Sequence, residues 1–271
     1  MGLSRRDILL GAALAAVPRL IHAETADGVE VVRARKVAGK LLGNDGPATH
    51  LWAFGGAWPP PVLRARQGEE LRTRFINELD REITLHWYGM RGPSDLMSLK
   101  IEPGEENALD CSFTPPDAGT FWFSPVHDVS HLREMGLYGM LAITEKYPLP
   151  ALADLPVILD DWLLTNEGAI DESSFGNLAQ AIGEGRMGNW FTVNGAHQPR
   201  LETSRGLIRL RLLNAANVRT MALCVIAVIL TLFALRTADA FFIPLLLSLF
   251  LNYALAPVVV RMSHLGVPRP I

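Results

Sequence analysis

The rhythm of hydrophobic and polar positions changes three times along this chain. Residues 8–17 form a short unbroken apolar run. From about residue 28 to 218 the apolar positions come in short stretches of four to eight, broken by Gly, Pro, Asn and Asp. That is the pattern of strands and turns. Residues 29–37 are rich in β-branched side chains. Residues 61–66 and 71–77 alternate on either side of a turn at Gly68, and this predicts a hairpin or strand pair. Further strands are expected at 82–88, 107–113, 119–123 and 139–144. A second β unit starts near residue 155 and takes in 191–195 and 207–213, where Leu and Ile alternate with Arg. Between them, 171–188 is Gly-rich and polar and reads as a loop or short helix. Short strands at ~8–12-residue spacing indicate a sandwich or barrel.

After residue 220 the alternation stops. Residues 221–235 and 240–260 are almost wholly apolar. As helices the two runs would measure ~22 and ~31 Å, so the second is long enough to cross a bilayer core. Arg236 and Asp239 sit between them at i, i+3, able to pair on one helix face or to mark a turn at the headgroups. The expectation is a bilayer contact through 221–260, as one or two transmembrane helices.

Composition narrows the field. The 271 residues are 49% hydrophobic and 20% charged, too charged for a chain that lies wholly in a membrane. With a net charge of −3 there is no basic excess for phosphate contacts, so no nucleic-acid partner is expected. Two cysteines, Cys111 and Cys224, exclude a disulfide scaffold, and they lie in segments too different to pair. Ser4-Arg5-Arg6-Asp7-Ile8-Leu9-Leu10 followed by the apolar run has the twin-arginine export pattern, with cleavage after Ala23. Residues 1–23 are therefore read as a signal peptide, and the expected location is the bacterial periplasm, tethered to the inner membrane by the C-terminal helices.

The motifs that carry chemistry lie between residues 51 and 144. Leu51-Trp52-Ala53-Phe54-Gly55-Gly56-Ala57-Trp58 leads into the alternating strands, then Leu85-His86-Trp87-Tyr88-Gly89-Met90. Ile101-Glu102-Pro103-Gly104-Glu105, Asp117-Ala118-Gly119-Thr120-Phe121-Trp122-Phe123 and Gly136-Leu137-Tyr138-Gly139-Met140-Leu141 follow. In this order and spacing they resemble the first cupredoxin domain of multicopper oxidases. Leu159-Asp160-Asp161-Trp162, Thr192-Val193-Asn194-Gly195 and Arg209-Leu210-Arg211-Leu212-Leu213-Asn214-Ala215 resemble the opening of the second. The fold class is thus mainly β: a cupredoxin-like Greek-key sandwich at 28–148, an incomplete second cupredoxin domain at 155–218 and the membrane segment at 221–271. A half-complete second sheet is expected to leave an unpaired edge and exposed apolar faces.

The resemblance implies copper as cofactor: a trinuclear cluster held by four His-x-His pairs, two of them from the first domain. Imidazoles at i and i+2 on a strand face one side, and copper favours their nitrogens. Here the first pair reads His86-Trp87-Tyr88, and the second reads Ser124-Pro125-Val126. His86 matches a type 2 copper ligand, whereas Tyr88, Ser124 and Val126 occupy lost ligand positions. His127 and His131 follow at i, i+4 in a stretch that reads as loop, so they are not expected to rescue the site. The family's remaining ligands belong to a later domain. The expectation is an oxidoreductase by family, or a copper-free scaffold like the family's cell-division relatives, with no catalysis from this polypeptide alone.

Other candidates are weaker. Gly183-Glu184-Gly185-Arg186-Met187-Gly188 fits G-x-G-x-x-G by letters but has no βαβ unit around it. Asp160 and Asp161 face opposite ways on a strand and read as solvated or turn-forming. Met90, Met97, Met135 and Met140 are too scattered for a methionine copper site. Toward the end, Phe241-Phe242-Ile243-Pro244-Leu245, Asn252-Tyr253-Ala254-Leu255-Ala256-Pro257 and Gly266-Val267-Pro268-Arg269 resemble the first helices of the autoinducer-2 exporter-like permeases. Arg205, Arg209, Arg211 and Arg219 flank the first apolar run on the side that export would place outside, against the positive-inside tendency. An oxidase-like front joined to a permease fragment, by gene fusion or by sequence error, accounts for both halves.

Overall fold

The computed structural model describes residues 24–26, 28–147, 153–183, 185–199 and 207–221, together with Leu230 and Phe250. Residues 1–23, read as an export signal, nearly all of the two apolar runs and Cys224 lie outside the described residues. Among the described residues no helix is long and apolar enough to cross a membrane.

Thirteen strands are described: β1 (Glu24–Ala26), β2 (Val29–Gly39), β3 (Thr49–Ala53), β4 (Val62–Arg66), β5 (Leu71–Asn77), β6 (Ile83–Tyr88), β7 (Ser98–Ile101), β8 (Gly104–Phe113), β9 (Gly119–Pro125), β10 (Gly139–Thr144), β11 (Ala153–Trp162), β12 (Trp190–Val193) and β13 (Ile208–Asn214). Short helical turns lie at Ser94–Met97 (α1), Val129–Leu132 (α2) and Leu178–Ile182 (α3). One sheet runs β1-β2-β5-β8, with β3 also on β2; a second runs β4-β10-β9-β6-β7; a third runs β12-β11-β13.

The first two sheets face each other across a core of Val32, Leu63, Phe75, Leu85, Trp87, Phe123 and Leu141. In β6 the alternation is regular: Ile83, Leu85 and Trp87 are buried, while Thr84, His86 and Tyr88 are half-buried on the opposite face. Strand β10 is buried on both faces, which explains its unbroken apolar sequence. Leu141 and Ile143 enter the first core; Met140 and Ala142 enter a second one, with Leu51, Tyr138, Ile158, Trp162 and Leu213. That second core joins the third sheet to the sandwich. Hydrogen bonds from Trp58 Nε1 to Gly195 O (2.9 Å), from Trp190 Nε1 to Leu41 O (2.9 Å) and from Thr49 Oγ1 to Gly168 O (2.8 Å) reinforce it.

The hairpin expected from 61–66 and 71–77 does not form. β4 pairs in parallel with β10, whereas β5 pairs with β2 and β8 in the other sheet. The tight turn is real: Gly68 has φ +80° and Glu69 N–H bonds Arg66 O at 3.1 Å. However, Gln67 N–H goes to Thr144 O and Gly68 N–H to Pro115 O, so the turn carries the chain from one sheet to the other. Alternation and a glycine define a reversal, but not which strands share a ladder.

Candidate functional site

The geometry of β6 and β9 brings three of the sequence-derived positions together. The antiparallel register sets His86 beside Ser124 and Tyr88 beside Trp122. His86 and Tyr88, two apart, share a face, and their rings meet edge to face at 4.8 Å and 80°. Val126 lies just past the strand; its N–H bonds Thr84 O at 2.9 Å and its side chain reaches solvent.

Each of the three side chains already has a polar partner. His86 Nδ1 lies 3.1 Å from Ser98 Oγ on the neighbouring β7. Tyr88 Oη donates to Pro125 O at 3.3 Å, and its ring stacks on Trp122 at 4.6 Å. Ser124, fully buried, donates to Pro125 O and accepts a hydrogen bond from Arg133 Nε at 3.3 Å. The Arg133 guanidinium sits 4.7 Å from the Trp122 ring centroid and 6.0 Å from that of Tyr88. Burial pulls its pKa down from the usual value, with Tyr88, Asp160 and Glu134 pulling the other way. An arginine nonetheless stays protonated.

The residues present do not fit a copper cluster. One imidazole remains where four are needed, and a phenol, a hydroxyl and a hydrocarbon hold the other positions. In addition, a fixed guanidinium bonds one of those positions. At an effective dielectric near 20, like unit charges ~5 Å apart repel by about 3 kcal/mol, and a metal dication would face twice that. Sequence reasoning missed Arg133, because nothing in a Gly-, His- or strand-based pattern places the residue after a one-turn helix over a tryptophan on another strand.

His127 and His131 do not join this patch. The stretch read as loop contains α2, and His131 lies within it. Its Nδ1 is 3.1 Å from Asp128 Oδ2 and its ring packs against Trp52 and Phe175. His127 is exposed, in a surface cleft with Asp80, Arg81 and Glu82. Among the described residues no group of three or more His, Cys, Asp or Glu is placed to hold a metal ion.

A second polar cluster does form, where residues 133–138 meet the third sheet. Asp160 and Asp161, expected to be solvated, are both buried. Their strand is covered on both faces at this point, by Tyr138 and by the loop around Gly188. Asp161 Oδ2 accepts from Gly188 N–H (2.7 Å) and pairs with Arg219 (3.0 Å). Burial pushes the Asp160 carboxyl and the Tyr138 phenol well up, and the two groups interact. Glu134 pairs with Arg186 at 3.0 Å, both side chains about 5% exposed or less. Burial pushes Glu134 up to about 7, against the pull of Arg186. The glycine-rich motif thus serves packing: a Cβ at Gly188 would lie 2.4 Å from Trp162 N. Met90, Met135 and Met140 are core residues, Met97 packs against the core, and Cys111 is a buried free thiol.

Comparison with known proteins agrees with the motifs. Residues 36–147 match the multicopper oxidase family model. Multicopper oxidase mco of Staphylococcus aureus is 29% identical over 200 residues, covering 68% of this chain and 42% of its own length. Cell division protein FtsP of Photorhabdus laumondii is 32% identical over 187 residues, covering 63% and 37%. The crystal structure of a multi-copper oxidase from Pseudomonas thermotolerans superposes with a TM-score of 0.65 at 35% identity, over 73% of this chain and 48% of that one. The chain therefore spans less than half the length of these relatives. Motif order, the two packed sheets and these matches converge: the β-rich front of this chain has a cupredoxin-like fold and is similar to the first part of multicopper oxidases.

Proposed function

We propose that this chain is a copper-free scaffold of the multicopper oxidase lineage and performs no oxidase chemistry. One observation carries the reading. Arg133 bonds Ser124 and lies over Trp122 and Tyr88, so a fixed positive charge occupies the patch where the family gathers imidazoles. The similarity to FtsP supports it, since that protein is named for cell division rather than for an oxidation. The twin-arginine pattern at 1–23 supports export to the periplasm, and the apolar runs within 221–260 support a tether to the inner membrane. The permease-like motifs after residue 240 support a fusion, which sequencing of the gene across 214–223 tests: one continuous reading frame is expected, and two separate frames would refute it.

The function is tested by dioxygen consumption. The full chain, produced with copper and offered a phenolic reductant, is expected to consume no dioxygen above the rate of free copper. Catalytic turnover that scales with protein concentration would overturn the reading.

A further inference from the structure

The point at which the chain leaves the β-rich unit is fixed by side chains. Asn217 Nδ2 donates to Ser130 O at 3.3 Å, and Arg219 Nη2 donates to Gly188 O at 2.9 Å. Arg219 Nε pairs with Asp161 at 3.0 Å, and its guanidinium carbon lies 4.7 Å from the Phe191 ring centroid. Val218 lies against Gly185, where a Cβ would meet Val218 Cγ1 at 2.5 Å. The long apolar sequence starts two residues after Arg219, at residue 221.

Exposed apolar side chains gather round this exit. Leu178 and Ile182, 70% and 77% exposed, are four apart on α3 and so share a face. Leu178 and Val218 line one surface cleft with Phe175. Met187 and Phe191 are exposed to either side of the Gly188 that Arg219 holds. A single exposed apolar residue is ordinary, whereas a group of them marks a contact surface. The nearby cations offer little free charge, since Arg186 pairs with Glu134 and Arg219 with Asp161. The surface therefore suits an apolar partner better than an anionic one.

We propose that this patch lies on the surface of a lipid bilayer, with Leu178 and Ile182 entering the boundary between headgroups and acyl chains. The inference rests on the membrane tether proposed above, and the position of the exit supplies the occupant. From Arg219 to residue 221 the chain spans at most ~7 Å, so a bilayer that holds the apolar run is within reach of the patch. A patch this small does not hold a free protein on a membrane. A tether removes most of the cost of association and presents the lipid at high effective concentration. Arg219 suits the headgroup level, where an apolar stem and a charged head are both accommodated.

Nitroxide accessibility tests this in the full chain, inserted in phosphatidylcholine nanodiscs. Cys111 is a buried thiol, and Cys224→Ala removes the other, so one introduced cysteine takes the label. Labels are placed through Leu178→Cys, Ile182→Cys and, as a reference on an exposed turn of the sandwich, Glu70→Cys. The ratio of dioxygen to water-soluble nickel-complex accessibility is expected to be about threefold higher at 178 and 182 than at 70, because apolar dioxygen concentrates in the bilayer. High salt should leave it unchanged. Leu178→Glu alters an exposed side chain and should return the ratio at 182 to the reference value, with the dichroism of the native fold retained. Equal ratios at all three positions, in a chain that stays with the nanodisc, would overturn the docking and leave the tether standing. Poor access of both reagents to 182 would show another protein chain over the patch and would also overturn it. A chain that leaves the nanodisc altogether would refute the tether, and the docking with it.

Discussion

The sandwich and the third sheet bury opposite kinds of surface. In β6 the apolar positions turn inward and the polar ones outward, as an antiparallel strand over a single core should. In β13 the order is inverted: Arg211 is buried, while Leu210 and Leu212 are 52% and 46% exposed. Arg211 turns toward the sandwich, where it forms a two-pronged pair with Asp154 at 2.7 and 2.8 Å and donates to Gly119 O at 2.7 Å. Glu134–Arg186 and Asp161–Arg219 are two further ionic contacts of the same region. The sandwich is thus held by apolar burial. The third sheet is docked through paired charges as well as the second core, and its outer face keeps exposed leucines. Charge pairs need geometry and are sensitive to pH; apolar burial is not.

Four measurements break or sharpen that contrast, from the largest effect to the smallest. Trp87→Ala removes a side chain packed against Phe75, Phe113 and Phe123. It should cost about 3–5 kcal/mol in chemical denaturation, with amide protection lost throughout both sheets of the sandwich. Arg186→Leu leaves a buried carboxyl unpaired and should cost about 3 kcal/mol. Its loss of protection should concentrate in β11 to β13; a uniform loss would show that the two regions are not held differently.

The pH effect comes next. Burial raises the Glu134 pKa in the folded state to about 7, above its usual value, so the folded protein binds the extra proton. Its contribution is complete below about pH 4.5 and is lost as pH rises through about 7. Asp160, also raised by burial, acts in the same direction, whereas Asp154 is held low by Arg211 and Arg209 despite burial and matters only in more acidic solution. Stability of the third sheet should therefore fall between pH 5 and 8, by roughly 2 kcal/mol. Arg186 opposes this by pairing with the ionised carboxylate, so Glu134→Gln should flatten the pH dependence. The smallest effect is expected on the open face, where Leu212→Ser should change stability by less than ~0.5 kcal/mol.

The sequence was informative where side-chain period and structure coincide. The strands at 29–37, 82–88 and 139–144 lie within or nearly match β2, β6 and β10, because each follows one rhythm or one apolar run. That His86 and Tyr88 share a face was legible because positions two apart on a strand point the same way, whereas Ser124 was singled out only by the resemblance and is brought beside His86 by the β6–β9 register. What was not legible depends on partners far along the chain. The 61–66 and 71–77 strands part into different sheets because Thr144 and Pro115 take the turn's N–H groups. Asp160 and Asp161 look like surface residues until Tyr138, Gly188 and Arg219 close over them. Arg133 follows a one-turn helix and Arg186 lies in a glycine motif that serves packing, so nothing in their own segments marks them, yet each sets the charge of a polar site.

The central claim concerns the patch of His86, Tyr88 and Ser124 beside Arg133, and copper content tests it most directly. The full chain is produced in copper-rich medium, passed through a desalting column and analysed for metal. The account predicts copper well below one ion per chain, and no change in content when His86 is replaced by alanine. Stoichiometric copper that disappears in His86→Ala would contradict it.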